Sequence, residues 1–292
     1  MRNLFFLLVL ILLLGSCTRR FKHFSVWRLT ASDRQVFKSF EGAAYQPTIF
    51  YFRSGGRTIR GWEIGDDHLP VTLLIHGAPS SMVKYRGWFR DSTLFSKTKL
   101  VAVDRPGYGK SGYGNAETSI VRQAELLGPL VEKLGKRGPI VVYGSSYGGP
   151  VAARLAMNHP DKISALVLQS ASVKPHAEKT PKIARVIHSP LGIVFPKWAK
   201  VATREKFAHH RALEAIQNDW CLINCPVWIL HGNKDELIYP ENAEYALQQL
   251  APYTSVQYTC FDSLGHRIFW EQRDTVKHFI YEALRTSSSL KE

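Results

Sequence analysis

The sequence predicts an α/β fold in which a mostly parallel, doubly wound sheet carries a helical lid insertion. Two patterns predict it. Short apolar runs, typical of strands buried on both faces of a parallel sheet, alternate with helical patterns along the chain. One long segment then interrupts this alternation. Strands that alternate with helices form right-handed crossover units, and 292 residues are enough for one large domain of this kind.

Eight runs are predicted as strands, and the first two form a hairpin around Gly55 and Gly56. The predicted strands cover residues 48–53, 58–64, 71–75, 100–103, 140–143, 163–168, 227–230 and 256–260. Helices are predicted at residues 119–134, 150–157, 240–250 and 269–284. In the first of these helices the apolar residues recur with a helical period that ends at Gly135.

The segment from residue 172 to residue 220 contains no strand pattern and is rich in Lys and Arg. A stretch this long without a strand is predicted to be an insertion of a few helices, and we name it the lid. Residues 46–171 and 221–292 are then predicted to form the core. Residues 17–45 are predicted to be a linker that precedes the core.

A serine-centred motif separates the fifth predicted strand from the second predicted helix. Gly144-Ser145-Ser146-Tyr147-Gly148 matches the pattern G-x-S-x-G in the strand–turn–helix context that this pattern requires. The serine of such a motif lies on a sharp, strained turn that exposes its hydroxyl, and side chains at the two glycine positions would collide there. The motif therefore predicts Ser146 as a nucleophile.

A serine hydroxyl needs a base, and the base needs a carboxylate to orient it, in the chain order Ser, Asp, His. Asp235 follows the predicted strand 227–230, and His266 follows the strand 256–260. Both are therefore expected at the carboxyl edge of the sheet, where such folds place their sites. Asp262 is the rival acid, but it lies too close to His266 in sequence to approach the far side of the ring easily.

Acyl transfer also needs two N–H donors for the oxyanion that develops on the carbonyl. The backbone N–H of Tyr147, directly after the nucleophile, is the first candidate. The second should come from the turn after the strand 71–75. Since Pro79 has no N–H, Ala78 is the candidate there.

These motifs resemble those of the α/β-hydrolase family from about residue 48 to residue 284. The resemblance rests on residues 76–79 (HGAP), 104–111 (DRPGYGKS), the serine motif, 231–235 (HGNKD) and 265–266 (GH). It implies a triad of Ser146, His266 and Asp235, a structural turn at 104–111, no cofactor and a lid that sets specificity. A serine nucleophile departs from the dehalogenase and epoxide-hydrolase branches, which use Asp.

The predicted function is hydrolysis of a carboxylic ester of a small-molecule acyl substrate through an acyl-enzyme. Three alternatives stay open. The first is hydrolysis of a C–C bond by the same triad. The second is the activity of an aminopeptidase or a thioesterase, which also use this triad. The third alternative is a non-catalytic binding module that is tethered to a membrane.

The N-terminus predicts export and anchoring. Arg2 precedes an apolar run, residues 4–14, that is too short to cross a bilayer as a helix, so residues 1–16 are predicted to be a secretory signal peptide. Residues 14–17 (LGSC) resemble the lipobox of bacterial lipoproteins. This resemblance implies a lipid on Cys17, secretion across the inner membrane of a bacterium, and a membrane-anchored lipoprotein. Basic residues after Cys17 add attraction to anionic head groups.

The net charge of +14 indicates a nucleic acid, an anionic membrane surface, acidic substrates or a solvated basic surface without a partner. Of the three partners the membrane surface fits best, because the N-terminus also predicts a membrane. No zinc-finger spacing or RNA-binding motif supports a nucleic-acid partner, and no ligand spacing supports a metal site. Cys225 and Cys260 lie in apolar runs and are interpreted as small core residues. His76 and His231 precede glycines at strand ends and are interpreted as structural.

Overall fold

Eight strands form one sheet in the computed structural model, which describes residues 27–289. They are β1 (Thr48–Ser54), β2 (Arg57–Ile64), β3 (Val71–Ile75), β4 (Lys99–Val103), β5 (Ile140–Ser145), β6 (Ile163–Gln169), β7 (Val227–Gly232) and β8 (Val256–Phe261). Their order across the sheet is β1-β2-β4-β3-β5-β6-β7-β8. β2 is antiparallel to β1 and β4, and the other neighbouring pairs are parallel. The predicted mostly parallel sheet is confirmed.

Helices cover both faces of this sheet. They are α1 (Trp27–Thr30), α2 (Asp33–Ser39), α3 (Ser92–Phe95), α4 (Ile120–Gly135), α5 (Gly148–Asn158), α6 (Lys182–His188), α7 (Lys197–Glu214), α8 (Glu241–Leu250), α9 (Ile268–Glu271) and α10 (Arg273–Ser289). The prediction of one continuous helix over 269–284 is wrong, because Gln272 leaves the helical conformation between α9 and α10 (φ −127°, ψ 45°). The break lets Phe269 pack edge-on against Tyr85 while α10 lies along the sheet.

The two faces of the sheet carry separate apolar layers, because successive side chains of a strand point to opposite faces. On β5, Val142 packs into the layer that contains α4 and α5, whereas Val141 and Tyr143 pack into the layer that contains α10. The central strands β3, β4 and β5 are buried along their whole length. This two-sided burial is the reason that they are continuous apolar runs in the sequence.

The prediction of two-sided burial is wrong for β8. Its residues are half-buried or exposed, because β8 is the last strand of the sheet and pairs on one side only, with β7. Cys260 lies on this edge strand and is exposed, in contrast to its interpretation as a core residue. Cys225, which precedes the interior strand β7, is buried as interpreted.

Residues 27–40 are packed against the core rather than forming part of a linker. Ala31, Val36 and Phe40 are fully buried, and the Phe40 ring meets Trp62 of β2 edge-on, with centroids 5.8 Å apart. Arg60 of β2 also donates to the Ala31 carbonyl at 2.8 Å. The signal peptide predicted at residues 1–16 and the lipid site at Cys17 lie outside the described residues. Within residues 27–289, no helix combines the length and apolar character that a membrane crossing requires.

The lid is helical, as predicted. α6 and α7 make up most of it, with short 3-10 segments at Pro190–Val194 and Trp220–Leu222. Glu178 forms an isolated antiparallel bridge with Ile238, which lies in the loop after β7. The Ser172 N–H donates to the Ser146 carbonyl at 3.2 Å. These contacts hold the lid over the carboxyl edge of the sheet.

Candidate active site

Ser146 occupies the turn between β5 and α5. Its backbone is left-handed (φ 56°), a conformation that costs about 1–3 kcal/mol for a residue with a side chain and that clusters at functional sites. Both glycines of the motif are required sterically. A Cβ at Gly144 would lie 2.6 Å from the Ala152 Cβ, and a Cβ at Gly148 would lie 2.3 Å from the Ile75 carbonyl oxygen. Close packing of the turn against α5 and β3 therefore fixes the Ser146 hydroxyl at the carboxyl edge of the sheet.

Two side chains from neighbouring loops form a hydrogen-bonded chain with this hydroxyl. His266 Nε2 lies 3.1 Å from Ser146 Oγ, and His266 Nδ1 lies 2.7 Å from Asp235 Oδ2. Asp235 follows β7 and His266 follows β8, so adjacent parallel strands place both at the same edge. The structure thus brings the three sequence-predicted residues together. Asp262, the rival acid, is exposed and lies 3.9 Å from Cys260 Sγ.

The Asp235 carboxylate is buried and oriented by the backbone. Its Oδ1 accepts the N–H groups of Leu237 and Ile238, both at 2.9 Å, which leaves Oδ2 for His266. His231 also lies 3.7 Å from Oδ2, but burial lowers the pKa of its ring, and its Nε2–H donates to the Ile238 carbonyl at 3.0 Å. His231 is therefore a neutral, structural residue.

The two N–H groups predicted as oxyanion donors flank Ser146. Tyr147 follows it in the chain. Ala78 lies in the turn after β3, where Gly77 approaches so closely that a Cβ on it would lie 2.9 Å from the Ser146 Cβ. Within the part of the chain that the structure describes, neither the Ala78 N–H nor the Tyr147 N–H donates to a protein acceptor. Both donors are thus free to bind an oxygen of a substrate.

A buried arginine fixes the turn that carries Ala78. The Arg105 guanidinium donates to the carbonyls of His76 at 2.8 Å and Gly77 at 3.2 Å. The Arg105 N–H donates to His76 Nε2 at 2.9 Å, so that His76 Nδ1–H donates to the Gly77 carbonyl at 2.7 Å. Burial and then the nearby guanidinium lower the pKa of His76 well below its ordinary value. His76 is therefore a neutral support of this turn.

The lid supplies the counter-ion of that arginine. Glu205 on α7 places Oε1 2.7 Å from Arg105 Nη1, and its Oε2 accepts the Tyr108 hydroxyl at 2.6 Å. Gln123 of α4 donates to the same carboxylate at 3.2 Å. All four side chains are fully buried. One enclosed polar cluster thus joins the lid to the turn with the predicted oxyanion donor.

Comparisons with known proteins agree with this architecture. Residues 70–189 match the family described as alpha/beta hydrolase fold. An esterase from Exiguobacterium antarcticum has the same fold, with a TM-score of 0.65 and 18% identity over 82% of this chain and 100% of its own. The chain therefore has the α/β-hydrolase fold.

Two further proteins are similar to this chain. Lipase LipV of Mycobacterium tuberculosis is 36% identical over 101 residues, which cover 35% of this chain and 37% of the lipase. A bacterial membrane phospholipase A shares the fold, with a TM-score of 0.62 and 20% identity over 99% of both chains. This chain spans only 29% to 45% of the length of the first curated relatives that it matches.

Two cavities of the protein meet at Ser146 and His266. The first, about 310 Å³, opens beneath α9, and we name it the core-side cavity. The second, about 320 Å³, lies beneath α6 and α7, and we name it the lid-side cavity. The residues that line only one of them include Lys84, Phe269 and Trp270 on the core side, and Ile183, Ile187 and Trp198 on the lid side. The hydroxyl thus lies between two spaces that can take the two halves of a substrate.

A polar cluster borders the lid-side cavity. Ser172 Oγ donates to Glu178 and lies 2.9 Å from His209 Nε2, while Lys206 Nζ lies 2.6 Å from Glu178. Burial lowers the pKa of His209 to about 4, so its ring is neutral. Within residues 27–289, no three His, Cys, Asp or Glu side chains are grouped in a way that could hold a metal ion.

Sequence reasoning missed Glu205 and Lys84. No local pattern marks Glu205, because its partner Arg105 lies 100 residues earlier in the chain. Lys84 follows the HGAP turn in a segment without a recognisable element, and the structure shows a 3-10 helix there, Met82–Arg90. The available signal was weak: a lysine close in sequence to the turn that carries an oxyanion donor.

Proposed function

We propose that this protein is an α/β hydrolase that cleaves carboxylic esters through an acyl-enzyme formed on Ser146. The observation that carries the proposal is the pair of contacts that link Ser146 Oγ to His266 at 3.1 Å and His266 to Asp235 at 2.7 Å. In this arrangement the imidazole can accept the serine proton. The carboxylate holds the ring in the required tautomer and stabilises its positive charge.

The reaction would proceed in two halves. Ser146 Oγ attacks the ester carbonyl as its proton passes to His266 Nε2, and the N–H groups of Ala78 and Tyr147 bind the resulting oxyanion. His266 then donates that proton to the leaving alcohol, which leaves an acyl group on Ser146. Water, deprotonated by the same imidazole, attacks the acyl-enzyme and releases the acid.

Two observations favour esters over other substrates of such a triad. The proteins that resemble this chain include ones named as a lipase and an esterase. The two cavities on either side of Ser146 offer one space for an acyl group and another for an alcohol. A serine at position 146 does not suit the covalent chemistry of the branches that use an aspartate nucleophile.

Labelling with a fluorophosphonate probe, followed by peptide mapping, tests the nucleophile. We expect the probe on Ser146, and we expect Ser146→Ala to lose at least about 1,000-fold in kcat on 4-nitrophenyl esters. Ser96→Ala, which changes an exposed serine far from the turn, is the matched control and should keep wild-type rates. A Ser146→Ala enzyme that keeps most of its ester hydrolysis, or a wild-type protein that takes no label, would refute the mechanism.

We also propose that the enzyme is secreted across the inner membrane of a bacterium and tethered to a membrane by a lipid on Cys17. The support is the sequence of residues 1–17 and the basic residues that follow. Expression of the full chain in a bacterial host with an alkyne fatty acid tests this. Cys17→Ala should lose the label and leave the membrane fraction, whereas Cys221→Ala, at an exposed free thiol, should behave as wild type. Unchanged membrane association of Cys17→Ala would contradict the tether.

A further inference from the structure

The core-side cavity contains a lysine that no carboxylate neutralises. Lys84 lines this cavity together with Ser146 and His266. Its Nζ donates to Ser145 Oγ at 2.7 Å and lies 4.4 Å from the centre of the Phe269 ring. Among the described residues, no Asp or Glu side chain forms an ion pair with it. The charge therefore lies next to the nucleophile without an anion of the protein.

Counting donors shows that the ammonium is only partly satisfied. It has three N–H groups, of which one is used by Ser145 Oγ and a second can point to the Phe269 ring face. Ser145 accepts from Lys84 because its own proton is committed to Gln169 Oε1, at 2.9 Å. Among the described residues, no acceptor binds the third N–H of Lys84, and the side chain lines the cavity, so this N–H is available to a ligand there.

A lysine in this position does not help the fold. A cation removed from water without a counter-ion costs free energy, and burial lowers the pKa of Lys84 to about 7. The hydrocarbon of a methionine would fill the same space without this penalty. A perturbed, unpaired cation in a cavity beside a nucleophile is typical of a ligand-binding role.

We propose that Lys84 binds a carboxylate of the substrate in the core-side cavity, so that the enzyme prefers esters with an anionic group on the part that enters this cavity. The inference rests on the proposed ester hydrolysis at Ser146. The cavity, about 310 Å³, includes both Ser146 and Lys84 in its lining, so one substrate can present its carbonyl to the first and its carboxylate to the second. The carboxylate supplies the missing counter-ion.

The other ionisable groups near Lys84 do not duplicate this role. Three of them are neutral near pH 7, because burial lowers the pKa of His76 and raises the pKa of Tyr85 and Tyr143. His266 takes part in the turnover of every substrate alike. Arg267 also lines the cavity, but its side chain is 74% exposed and lies 3.5 Å from Glu271, so solvent screens its charge.

Matched substrates test the proposal. One series carries the charge on the acyl side, 4-nitrophenyl hydrogen adipate against its neutral primary amide. A second series carries it on the alcohol side, 3-acetoxybenzoate against 3-acetoxybenzamide. In at least one series, Lys84→Met should lower the preference in kcat/KM for the anionic substrate by about 10- to 100-fold, the range expected for a charge-assisted hydrogen bond. Turnover of the neutral substrates shows whether the variant is folded and active.

Two controls make the assignment specific. Arg267→Met removes the exposed cation of the same cavity and should change the preference by less than about threefold, because exposed charges interact weakly. Lys84→Arg should keep the preference and, unlike wild type, hold a low KM for the anionic ester above about pH 8, since arginine does not deprotonate there. The proposal would be overturned if Arg267→Met lost as much preference for the anionic substrate as Lys84→Met. It would also be overturned if Lys84→Met lost no preference in either series. The proposed ester hydrolysis would still stand if the neutral esters were turned over through Ser146.

Discussion

Glu205 and Arg105 form an ion pair at 2.7 Å in which neither side chain exposes any surface to solvent. The pair links α7 of the lid to the turn after β3, because Arg105 also binds the carbonyls of His76 and Gly77. The next residue, Ala78, carries a predicted oxyanion donor. The position of the lid helix is therefore mechanically connected to the geometry of the candidate active site.

Glu205→Gln should destabilise the protein by about 3–5 kcal/mol, because it leaves the buried Arg105 charge without a counter-ion. Urea unfolding measures this loss. Glu125→Gln, which breaks the exposed pair with Arg122, is the matched control and should cost less than about 0.5 kcal/mol. Since the turn would shift relative to Ser146, we also expect a lower kcat for Glu205→Gln. A variant as stable as wild type would show that the enclosed pair contributes nothing to lid attachment.

Asp235→Asn should lower kcat by about 10⁴-fold, because the amide favours the wrong tautomer of His266 and cannot stabilise its charge. Asp262→Asn, the same change at the rival acid, should leave the rate unchanged, since that side chain is exposed and away from the imidazole. Steady-state kinetics on one 4-nitrophenyl ester compares the two. A larger loss in Asp262→Asn than in Asp235→Asn would reverse the assignment of the acid.

Local sequence was sufficient to predict much of the fold and the positions of the candidate triad. Buried parallel strands are continuous apolar runs, and the turns that follow them carry functional residues at one edge, so Ser146, Asp235 and His266 could be expected together. The prediction of burial was wrong at β8, because periodicity does not show whether a strand lies inside a sheet or at its edge. The structure shows that β8 is an edge strand, because it forms hydrogen bonds with β7 on one side only.

Contacts between distant segments could not be predicted in this way. Glu205 was one of the few acidic residues in a basic segment, and only the packing of α7 reveals that it meets Arg105. The helices before β1 were missed because they are short and cannot be stable alone. They persist because Phe40 packs on Trp62 and Arg60 binds the Ala31 carbonyl.

Gly148→Ala should abolish activity and destabilise the fold by about 2–3 kcal/mol, because the new Cβ would lie 2.3 Å from the Ile75 carbonyl oxygen and 2.7 Å from that of His76. Thermal unfolding and ester hydrolysis measure both effects. Gly87→Ala is the matched control, since a Cβ there would meet only the flexible Arg273 side chain, at 3.4 Å. It should stay within about 0.5 kcal/mol of wild type. Wild-type turnover by Gly148→Ala would mean that the turn has more freedom than its packing indicates.

Acid should destabilise the protein through the buried ring of His209. Burial lowers its pKa to about 4, below the value of about 6.5 expected in the unfolded chain. The unfolded state therefore binds a proton first, so the contribution of His209 to stability is complete above about pH 6.5 and is lost as the pH falls toward 4. Between about pH 7.5 and about pH 5, this linkage should lower the free energy of unfolding by about 2 kcal/mol.

His209→Gln should remove that part of the pH dependence in urea unfolding, whereas His278→Gln, at a ring that is 59% exposed, should not. Identical pH dependence in His209→Gln and wild type would mean that His209 is protonated in the folded protein already at mildly acidic pH.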